Sequence, residues 1–391
     1  MHCGLSPKCQ VKSRSVLFRV ISFMNWSDLR VAIVGPLPPP AGGMANQTRQ
    51  LAELLQGEGA YVDVVQVNPP YKPAWVANLK GLRAVFRLIP YFFRLWNATG
   101  RANLVHVMAN SGWSWHLFTA PAVWVASLRG VPVVVNYRGG EADRFLSKHA
   151  SIVRATMRRA SSLVLPSGFL LEVFACHGMG GRVVPNIVNV ERFQPDAEHS
   201  LDPSAPHLVV ARNLEHIYGN DIALKAFAKV LEVIPGARLS IAGSGPELAS
   251  LTALAEQLGV SERVSFTGRL DRDEMAALYR QADVMLNPTR VDNMPNSVLE
   301  AMASGLPVVA TSVGGVPFIV EHERTALLVP ADDEDALASE TLRLLRDPEL
   351  RARLSRAGVA SAREYRWSDV RTKLADVYQA ASMQELIRGA A

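Results

Sequence analysis

The chain has 391 residues, of which 49% are hydrophobic and 20% are charged, and its formal net charge at pH 7 is +5. This length exceeds what one ordinary hydrophobic core supports, so we expect two domains, and the composition excludes an intrinsically disordered protein. Three cysteines are too few for a disulfide framework and lack metal-site spacing. The modest charge and the lack of a nucleic-acid-binding motif argue against nucleic acid as a partner. No apolar run reaches the roughly 18 residues that would predict a membrane span.

The N-terminal segment, residues 1–24, mixes basic and apolar side chains but lacks the clean apolar core and cleavage site of a signal peptide. We expect an N-terminal extension that is either disordered or an artefact of the start-site choice. The folded part of the chain is predicted to begin at residue 25.

Strand candidates alternate with helical stretches along the rest of the chain, which predicts βαβ units and parallel sheets. In the first half the candidates are Leu29–Gly35, Tyr61–Val67, Leu104–Met108, Val131–Tyr137, Ser162–Pro166 and Arg182–Val184. In the second half they are His207–Arg212, Ala237–Ala242, Val264–Phe266, Asp283–Leu286, Pro307–Ala310 and Ala326–Val329. The predicted fold class is α/β, with two doubly wound domains that face a central cleft.

A polar, proline-containing segment over residues 193–206 separates the two sets of strands and is typical of an interdomain linker. We therefore predict a first domain over residues 25–195, a linker over 196–206 and a second domain over 207–370. A C-terminal helix is expected over 371–391 and could cross back to the first domain.

A loop rich in glycine and proline joins the first predicted strand to a helix that we expect to begin near Asn46. Its glycines Gly42 and Gly43 have no Cβ atoms, so backbone N–H groups could approach an anion closely. A tight turn that needs only the unusual φ of glycine is the alternative. The residues themselves leave both interpretations open.

No carboxylate occurs between Asp63 and Glu141, although this stretch contains eight basic residues. Within residues 72–96, basic side chains lie at helical spacings and many apolar and aromatic side chains accompany them. A basic amphipathic element of this kind can lie on an anionic membrane. A core-facing helix with a solvated basic face is the alternative, and both remain open.

Residues 292–311 have the pattern of a polar loop, a short helix and a buried strand. Ser297 and Glu300 have the spacing of a capping box, in which each side chain binds a backbone N–H at the helix start. Gly305 fits a left-handed C-terminal cap. Because a strand candidate ends just before Asp292, the loop is expected at the carboxyl end of a parallel sheet. Ligands bind at that edge, and a helix start favours phosphate.

Two interpretations of these acids fit the pattern. Glu300 could be only a capping-box partner and Asp292 only a solvated loop acid, since capping boxes are common. Alternatively, both carboxylates contact a bound ligand.

The segment closely resembles the nucleotide-sugar-binding motif of retaining glycosyltransferases of the GT-B class, like those of glycosyltransferase family 4 ("glycosyl transferases group 1"). The resemblance extends over nearly all of residues 29–370 and implies two Rossmann-like domains. By position, Asp292 would lie near the donor sugar, where the family usually has Glu, and Glu300 would hold the nucleotide ribose. The resemblance also assigns donor binding to Gly42, Gly43, Asn293, Met294, Pro295, Asn296 and Ser297.

Two arginines complete the implied site. Arg212 ends the first strand of the second domain and would neutralise the donor diphosphate in a bidentate manner. The family often adds a Lys about five residues later, but here the first Lys after Arg212 is Lys225. Arg138 stands near a strand end where many relatives have a His. Because an Arg cannot act as a general base, its role would be electrostatic, and Glu141 could pair with it or contact sugar hydroxyls.

The loops that carry these candidate residues contain neither an Asp-x-Asp dyad nor another metal-binding constellation. This favours a metal-independent enzyme without a cofactor, in which fixed positive charge stabilises the departing diphosphate. We predict a cytoplasmic retaining hexosyltransferase, peripheral at the inner face of the plasma membrane. It would move a sugar from a nucleotide-diphosphate donor to a glycan or lipid-linked glycan in cell-surface polysaccharide synthesis. A sugar-nucleotide epimerase of the same fold and a non-catalytic relative that binds a nucleotide sugar or glycan are the alternatives.

Overall fold

In the computed structural model of this chain, the described residues are 25–39, 42–71, 75, 79 and 83–390. The predicted extension over residues 1–24 lies outside this range, as do Lys72 and Lys80 of the basic stretch.

The described residues form two six-stranded sheets. The strands of the first sheet are β1 (Arg30–Gly35), β2 (Tyr61–Gln66), β3 (Leu104–Ala109), β4 (Val133–Tyr137), β5 (Ser162–Leu165) and β6 (Arg182–Val183). Those of the second are β7 (His207–Ala211), β8 (Arg238–Ala242), β9 (Val264–Gly268), β10 (Val284–Asn287), β11 (Val308–Thr311) and β12 (Leu327–Val329). The strand orders are β2-β1-β3-β4-β5-β6 and β12-β11-β10-β7-β8-β9, so in each sheet the chain starts at an interior strand, β1 or β7, and adds strands on both sides of it.

The twelve predicted strands are all present, and their ends differ from the prediction by at most two residues. The central strands are mainly apolar, and β3, β4, β10 and β11 are buried along their whole length. Mainly apolar runs are typical of parallel strands that helices cover on both faces. The predicted α/β fold with two doubly wound parallel sheets is therefore confirmed.

Helices connect the strands. The α-helices are α1 (Gly43–Gly57), α2 (Arg83–Arg101), α3 (Ala120–Leu128), α4 (Ala142–Met157), α5 (Gly168–Cys176), α6 (Asn220–Val233), α7 (Leu248–Gln257), α8 (Arg272–Gln281), α9 (Asn296–Ala303), α10 (Glu334–Arg346), α11 (Pro348–Ala362) and α12 (Trp367–Ala390). Short 3-10 helices occur at Trp26–Asp28, His216–Tyr218, Ser261–Arg263, Val316–Phe318 and Arg363–Tyr365, and a π-helix occurs at Trp115–Thr119. Within the described residues, no helix is both long enough and apolar enough to span a membrane.

By its internal contacts the chain divides into two units. Among the described residues, the first comprises those up to 137, 149–164 and 373–390, and the second comprises 138–148 and 165–372. This division differs from the predicted linker, because residues 165–206 group with the second unit. The functions of the two domains therefore stay predictions.

The second unit has an apolar core on each face of its sheet. Leu208 and Val210 of β7 point into one core, where Phe227 of α6 is fully buried. Val209, between them, points into the other core with Val298 of α9. Side chains on both faces of the sheet are thus packed in a core, which holds the strands whose carboxyl ends carry the candidate site.

Candidate functional site

The candidate site begins where two neighbouring strands of the second unit end. β7 and β10 pair in parallel, with Leu208 opposite Val284. Arg212 is the first residue after β7, and Asn287 is the last residue of β10. The pairing therefore brings both side chains to the same edge of the sheet, the edge at which open α/β sheets bind ligands.

The guanidinium group of Arg212 is held from two sides. Its Nε and Nη2 donate hydrogen bonds to Oδ1 of Asn287 at 2.8 and 2.6 Å. Nη2 also pairs with Oδ2 of Asp292 at 2.7 Å, and both side chains of this ion pair are nearly buried, with 10% and 12% of their surface exposed. Nη1 makes no hydrogen bond among the described residues, so its N–H groups stay available to an external anion.

The second carboxylate oxygen of Asp292 is also occupied. Oδ1 accepts a hydrogen bond from the backbone N–H of Met294 at 3.1 Å. Asp292 is therefore not a solvated loop acid, and that interpretation is wrong. The structure places its carboxylate against Arg212, so its immediate action is to orient the guanidinium group.

The capping box predicted for Ser297 and Glu300 is absent. α9 begins two residues earlier than the box requires, with Pro295 instead of Ser297 as the N-cap and without a side-chain capping bond. Ser297 consequently lies inside the first turn, and its buried Oγ has no hydrogen-bond partner among the described residues. Glu300 lies one turn further into the helix, too far from its start to bind the cap. The interpretation of Glu300 as only a capping partner is therefore wrong, whereas Gly305 does end the helix with a φ of +73°.

Burial raises the pKa of Glu300 to about 7, and the positive charges of Arg272 and Arg212 oppose this rise. The carboxylate makes no hydrogen bond or ion pair among the described residues. Burial likewise raises the pKa of Tyr279, and the charge of Glu300 adds to that effect. A carboxylate that titrates near neutral pH and lacks internal partners is free to accept hydrogen bonds from a ligand.

An amide network fixes the loop between Asp292 and α9. Asn293 donates from Nδ2 to the carbonyl oxygen of Gly139. Nδ2 of Asn186 donates to Oδ1 of Asn296 at 2.6 Å and to the carbonyl oxygen of Met294 at 3.3 Å. Three of the predicted donor-binding residues thus contribute to the shape of this loop, and Pro295 supplies its extended turn into the helix.

Arg138 belongs to the same network. Its Nη1 donates to Oδ1 of Asn186, and burial lowers its pKa to about 10, so it stays protonated at neutral pH. Glu141 pairs with Arg144 at 3.1 Å, not with Arg138 as the sequence suggested. The structure therefore brings the Arg138 cation to the Asn186 network that shapes the predicted donor loop.

The predicted glycines Gly42 and Gly43 lie in the first unit. Gly42 is the N-cap of α1, with extended backbone angles, and Gly43 is the first helical residue, so the helix starts three residues before the predicted Asn46. Neither glycine has a positive φ, which rules out the alternative of a turn that needs the unusual φ of glycine. A Cβ atom at either position would have no neighbour within 4 Å among the described residues, so a side chain could be accommodated there.

Sequence reasoning missed the partners of the predicted residues. Asn287 and Asn186 carry no local motif, since each acts only through contacts distant in sequence. Tyr218, on a 3-10 turn, places its ring 5.4 Å from the guanidinium carbon of Arg212, and burial raises the pKa of its hydroxyl while Arg212 lowers it.

A second glycine pair, Gly314 and Gly315, packs against the backbone of the loop. The N–H of Gly315 donates to the carbonyl oxygen of Asp292 at 2.8 Å. Cβ atoms on Gly314 and Gly315 would lie 2.1 and 1.7 Å from the carbonyl oxygens of Asp292 and Asn293. The adjacent glycines were visible in the sequence, but nothing there indicated what would approach them. They permit the close approach that fixes the position of Asp292.

Among the described residues, no group of three or more His, Cys, Asp or Glu side chains could hold a metal ion. Asp332 pairs with Arg290 at 2.6 Å, and Arg290 also binds Asp221 at 2.8 Å. Asp333 caps α10 by accepting a hydrogen bond from the N–H of Ala336. Asp332 and Asp333, which are adjacent in sequence, thus have separate roles in an ion pair and in a helix cap.

Comparisons with known proteins give two family matches. Residues 41–192 match the model described as Glycosyltransferase Family 4, and residues 205–347 match the model described as Glycosyl transferases group 1.

Curated relatives cover the chain to different extents. A D-inositol 3-phosphate glycosyltransferase from Segniliparus rotundus is 31% identical over 59% of this chain and 54% of its own length. A GDP-mannose-dependent alpha-(1-6)-phosphatidylinositol monomannoside mannosyltransferase from Mycobacterium tuberculosis is 32% identical over 49% of this chain and 54% of its own. A D-inositol 3-phosphate glycosyltransferase from Corynebacterium jeikeium is 26% identical over 90% of this chain and 96% of its own length. The chain thus spans about half the length of the first two relatives and nearly all of the third.

Solved structures show the same fold. Sucrose-phosphate synthase from Thermosynechococcus elongatus has a TM-score of 0.72 at 22% identity, with 92% of this chain and 99% of that chain covered. HepE from Anabaena, solved in complex with UDP and glucose, has a TM-score of 0.69 at 16% identity and coverages of 89% and 98%. These likenesses support the GT-B fold that the sequence predicted.

Proposed function

Because this chain belongs to the glycosyltransferases of family 4 and group 1, we propose that it transfers a sugar from a nucleotide-diphosphate donor to a glycan or lipid-linked glycan. The observation that carries the proposal is the geometry at the ends of β7 and β10. There a nearly buried Arg212 keeps N–H donors available, and the carboxylate of Glu300 has no partner of its own among the described residues.

In this proposal Arg212 stabilises the departing diphosphate. Its guanidinium group is already oriented by Asn287 and Asp292, so little reorganisation is needed when negative charge develops on the leaving group. Arg138 adds a second cation, held by Asn186.

The first N–H groups of α1, which begins at Gly43 with Gly42 as its N-cap, are proposed as an anion-binding element of the first unit.

Glu300 is proposed to bind the ribose hydroxyls of the nucleotide. A carboxylate accepts two hydroxyl hydrogen bonds, which is the bidentate pattern that a vicinal diol offers. Asp292 orients Arg212 and, through the loop of residues 293–297, shapes the region for the donor sugar.

The reaction is proposed to retain the anomeric configuration and to need no metal ion. A donor phosphate oxygen would take the proton of the acceptor hydroxyl. The role in cell-surface polysaccharide synthesis at the inner face of the plasma membrane belongs to the same proposal. The printed names of the curated relatives suggest GDP-mannose as a donor to test and phosphorylated inositol as an acceptor to test.

The test is a melting scan of the full chain against UDP-, GDP- and ADP-sugars. A donor at a hundred times its dissociation constant should stabilise the protein by about 2.7 kcal/mol. Glu300→Ala should abolish the shift. Glu232→Ala, which removes an exposed carboxylate on α6, is the matched control and should retain it.

A donor found in this way is then used for transfer. We expect a product with the donor's anomeric configuration by NMR, and turnover that a chelator does not reduce. Binding without turnover on any acceptor would support the non-catalytic alternative. Conversion of the donor sugar without an acceptor would support the epimerase.

A further inference from the structure

Helix α2 exposes an apolar stripe. Six large apolar side chains are between 43% and 70% exposed: Val85, Phe86, Ile89, Phe92, Phe93 and Trp96. Their spacings of three and four residues place them on one face of the helix. Isolated exposed apolar residues are common, but a continuous stripe with three phenylalanines and a tryptophan marks an interaction surface.

The other side of α2 already packs against the core. Tyr91, Leu95 and Ala98 are at most 2% exposed, and the hydroxyl of Tyr91 donates to the carbonyl oxygen of Phe118 at 2.7 Å. The alternative of a core-facing helix with a solvated basic face therefore accounts for only part of α2, because a second apolar face points outwards. A helix that is apolar on both faces needs a second apolar environment.

Helix α3 extends this surface. It packs against α2, and its residues Trp124 and Leu128, one turn apart, are 40% and 74% exposed. We call the exposed stripe of α2 together with these two residues the α2–α3 surface. Its α3 part lies outside the range, residues 72–96, that the sequence indicated.

Arginines accompany the aromatic rings of this surface. Arg129 lies over Trp96 with 4.4 Å between the guanidinium carbon and the ring centroid, and Arg159 lies over Trp124 at 3.9 Å. Arg94 is exposed and has no ion pair among the described residues. Stacking leaves the edges of a guanidinium group free to bind phosphate oxygens.

We propose that the α2–α3 surface docks onto an anionic lipid bilayer, with the apolar stripe in the boundary between headgroups and acyl chains and the arginines on lipid phosphates. Charge complementarity selects this occupant, since residues 64–140 contain no carboxylate. A second copy of the chain would bring like charges together across the same surface. The inference rests on the proposed function and deepens it, because docking would bring the enzyme to a lipid-linked acceptor.

The experiment is flotation of the full-length chain with vesicles, without any nucleotide sugar. Vesicles of phosphatidylcholine alone are compared with vesicles that also contain phosphatidylglycerol. We expect binding to the anionic vesicles, weak binding to the neutral ones, and a decrease as salt is raised. Equal binding to both kinds of vesicle, or no binding to either, would overturn the proposal.

Paired variants separate docking from general apolar adhesion. The double variant Phe93→Ser with Trp124→Ser should weaken binding to anionic vesicles by at least about tenfold. The matched control, Leu386→Ser with Ile387→Ser, removes two side chains that are 63% and 69% exposed on α12 and should leave binding unchanged. Equal losses in both double variants would contradict the assignment of the surface.

A charge pair tests the arginines in the same way. Arg94→Glu should weaken binding at least about fivefold, whereas Arg356→Glu, at an exposed position on α11, changes the net charge equally and should have little effect.

If light scattering shows a dimer that Phe93→Ser dissociates, the surface joins two copies and the membrane proposal fails. The donor-dependent melting shift is measured on the same variants, so loss of docking is distinguished from failure of the proposed transfer reaction.

Discussion

Four arginines, two from each unit of this protein, show two kinds of contact. In the second unit, Arg212 and Arg290 face carboxylates at 2.7 and 2.8 Å. In the first unit, Arg129 and Arg159 lie over tryptophan rings.

The difference shows two ways of using one side chain. A nearly buried ion pair orients the guanidinium group and requires that both charges stay paired, because either one alone would be costly to bury. An arginine stacked on an exposed ring keeps most of its hydration and can bind an external phosphate. The first arrangement suits a site that must be rigid, and the second suits a surface that meets a fluid partner.

Arg212→Ala should give the largest effect. Removing it leaves the carboxylate of Asp292 nearly buried and without its cation, so we expect a loss of about 3 kcal/mol in unfolding free energy. Transfer should decrease by at least about 100-fold. Arg129→Ala is the comparison from the other unit, and loss of its stacked guanidinium group should lower the unfolding free energy by less than about 1 kcal/mol. Chemical denaturation measures the stability of both variants, and transfer assays measure their activity. Equal stability losses would show that the paired Arg212 and the stacked Arg129 do not differ in this way.

Glu300→Gln should change how stability depends on pH. The folded-state pKa of Glu300 is about 7, above the usual 4.5, so between these values the folded protein holds a proton that the unfolded chain has released. Stability due to this group is thus present below pH 4.5 and is lost as the pH rises through 7, by up to about 3 kcal/mol.

Melting curves of the wild type, Glu300→Gln and the exposed control Glu232→Gln check this between pH 5 and 8. The stability of Glu300→Gln relative to the wild type should rise over that interval, and the control should follow the wild type. Donor affinity of the wild type should increase as Glu300 ionises. A pH dependence that all three proteins share would assign it to another group.

Asp292→Asn keeps the shape of the side chain and can still accept a hydrogen bond from the N–H of Met294, but it removes the charge that faces Arg212. We expect a cost of about 1–2 kcal/mol in unfolding free energy. Because Asp292 acts by orienting Arg212, turnover should decrease but persist. Complete loss of turnover with unchanged donor binding would assign Asp292 a direct role at the reacting sugar.

Tyr218→Phe should have the smallest effect on stability, less than about 0.5 kcal/mol, because the hydroxyl makes no hydrogen bond among the described residues. If the hydroxyl reaches the donor diphosphate beside Arg212, donor affinity should decrease about tenfold. Tyr218→Ala also removes the ring beside the guanidinium group and should lower stability by about 1 kcal/mol. Calorimetric titration measures the affinities, and an unchanged value for Tyr218→Phe would exclude the hydroxyl from the site.

Much of the site was predictable as a set of residues but not as a set of contacts. Arg212 and Asp292 were predicted separately, yet their ion pair was not, and neither was the role of Asn287 between them. The capping box failed for a related reason. The residue types have the spacing of a capping box, but α9 begins at Asn296. Ser297 therefore lies inside the helix, and Glu300 does not bind the helix start.

The sequence by itself determined the order of the strands and helices and the C-terminal cap at Gly305, because mainly apolar runs and glycine act on their immediate neighbours. The tertiary structure alone decided which polar groups meet: Arg212 and Asn287 are 75 residues apart and come together only because β7 and β10 are neighbouring parallel strands. It also decided that the aromatic stripe of α2 faces outwards, since the opposite face of that helix already covers the core. Pairings distant in sequence depend on how the whole sheet is assembled, and local patterns do not encode that assembly.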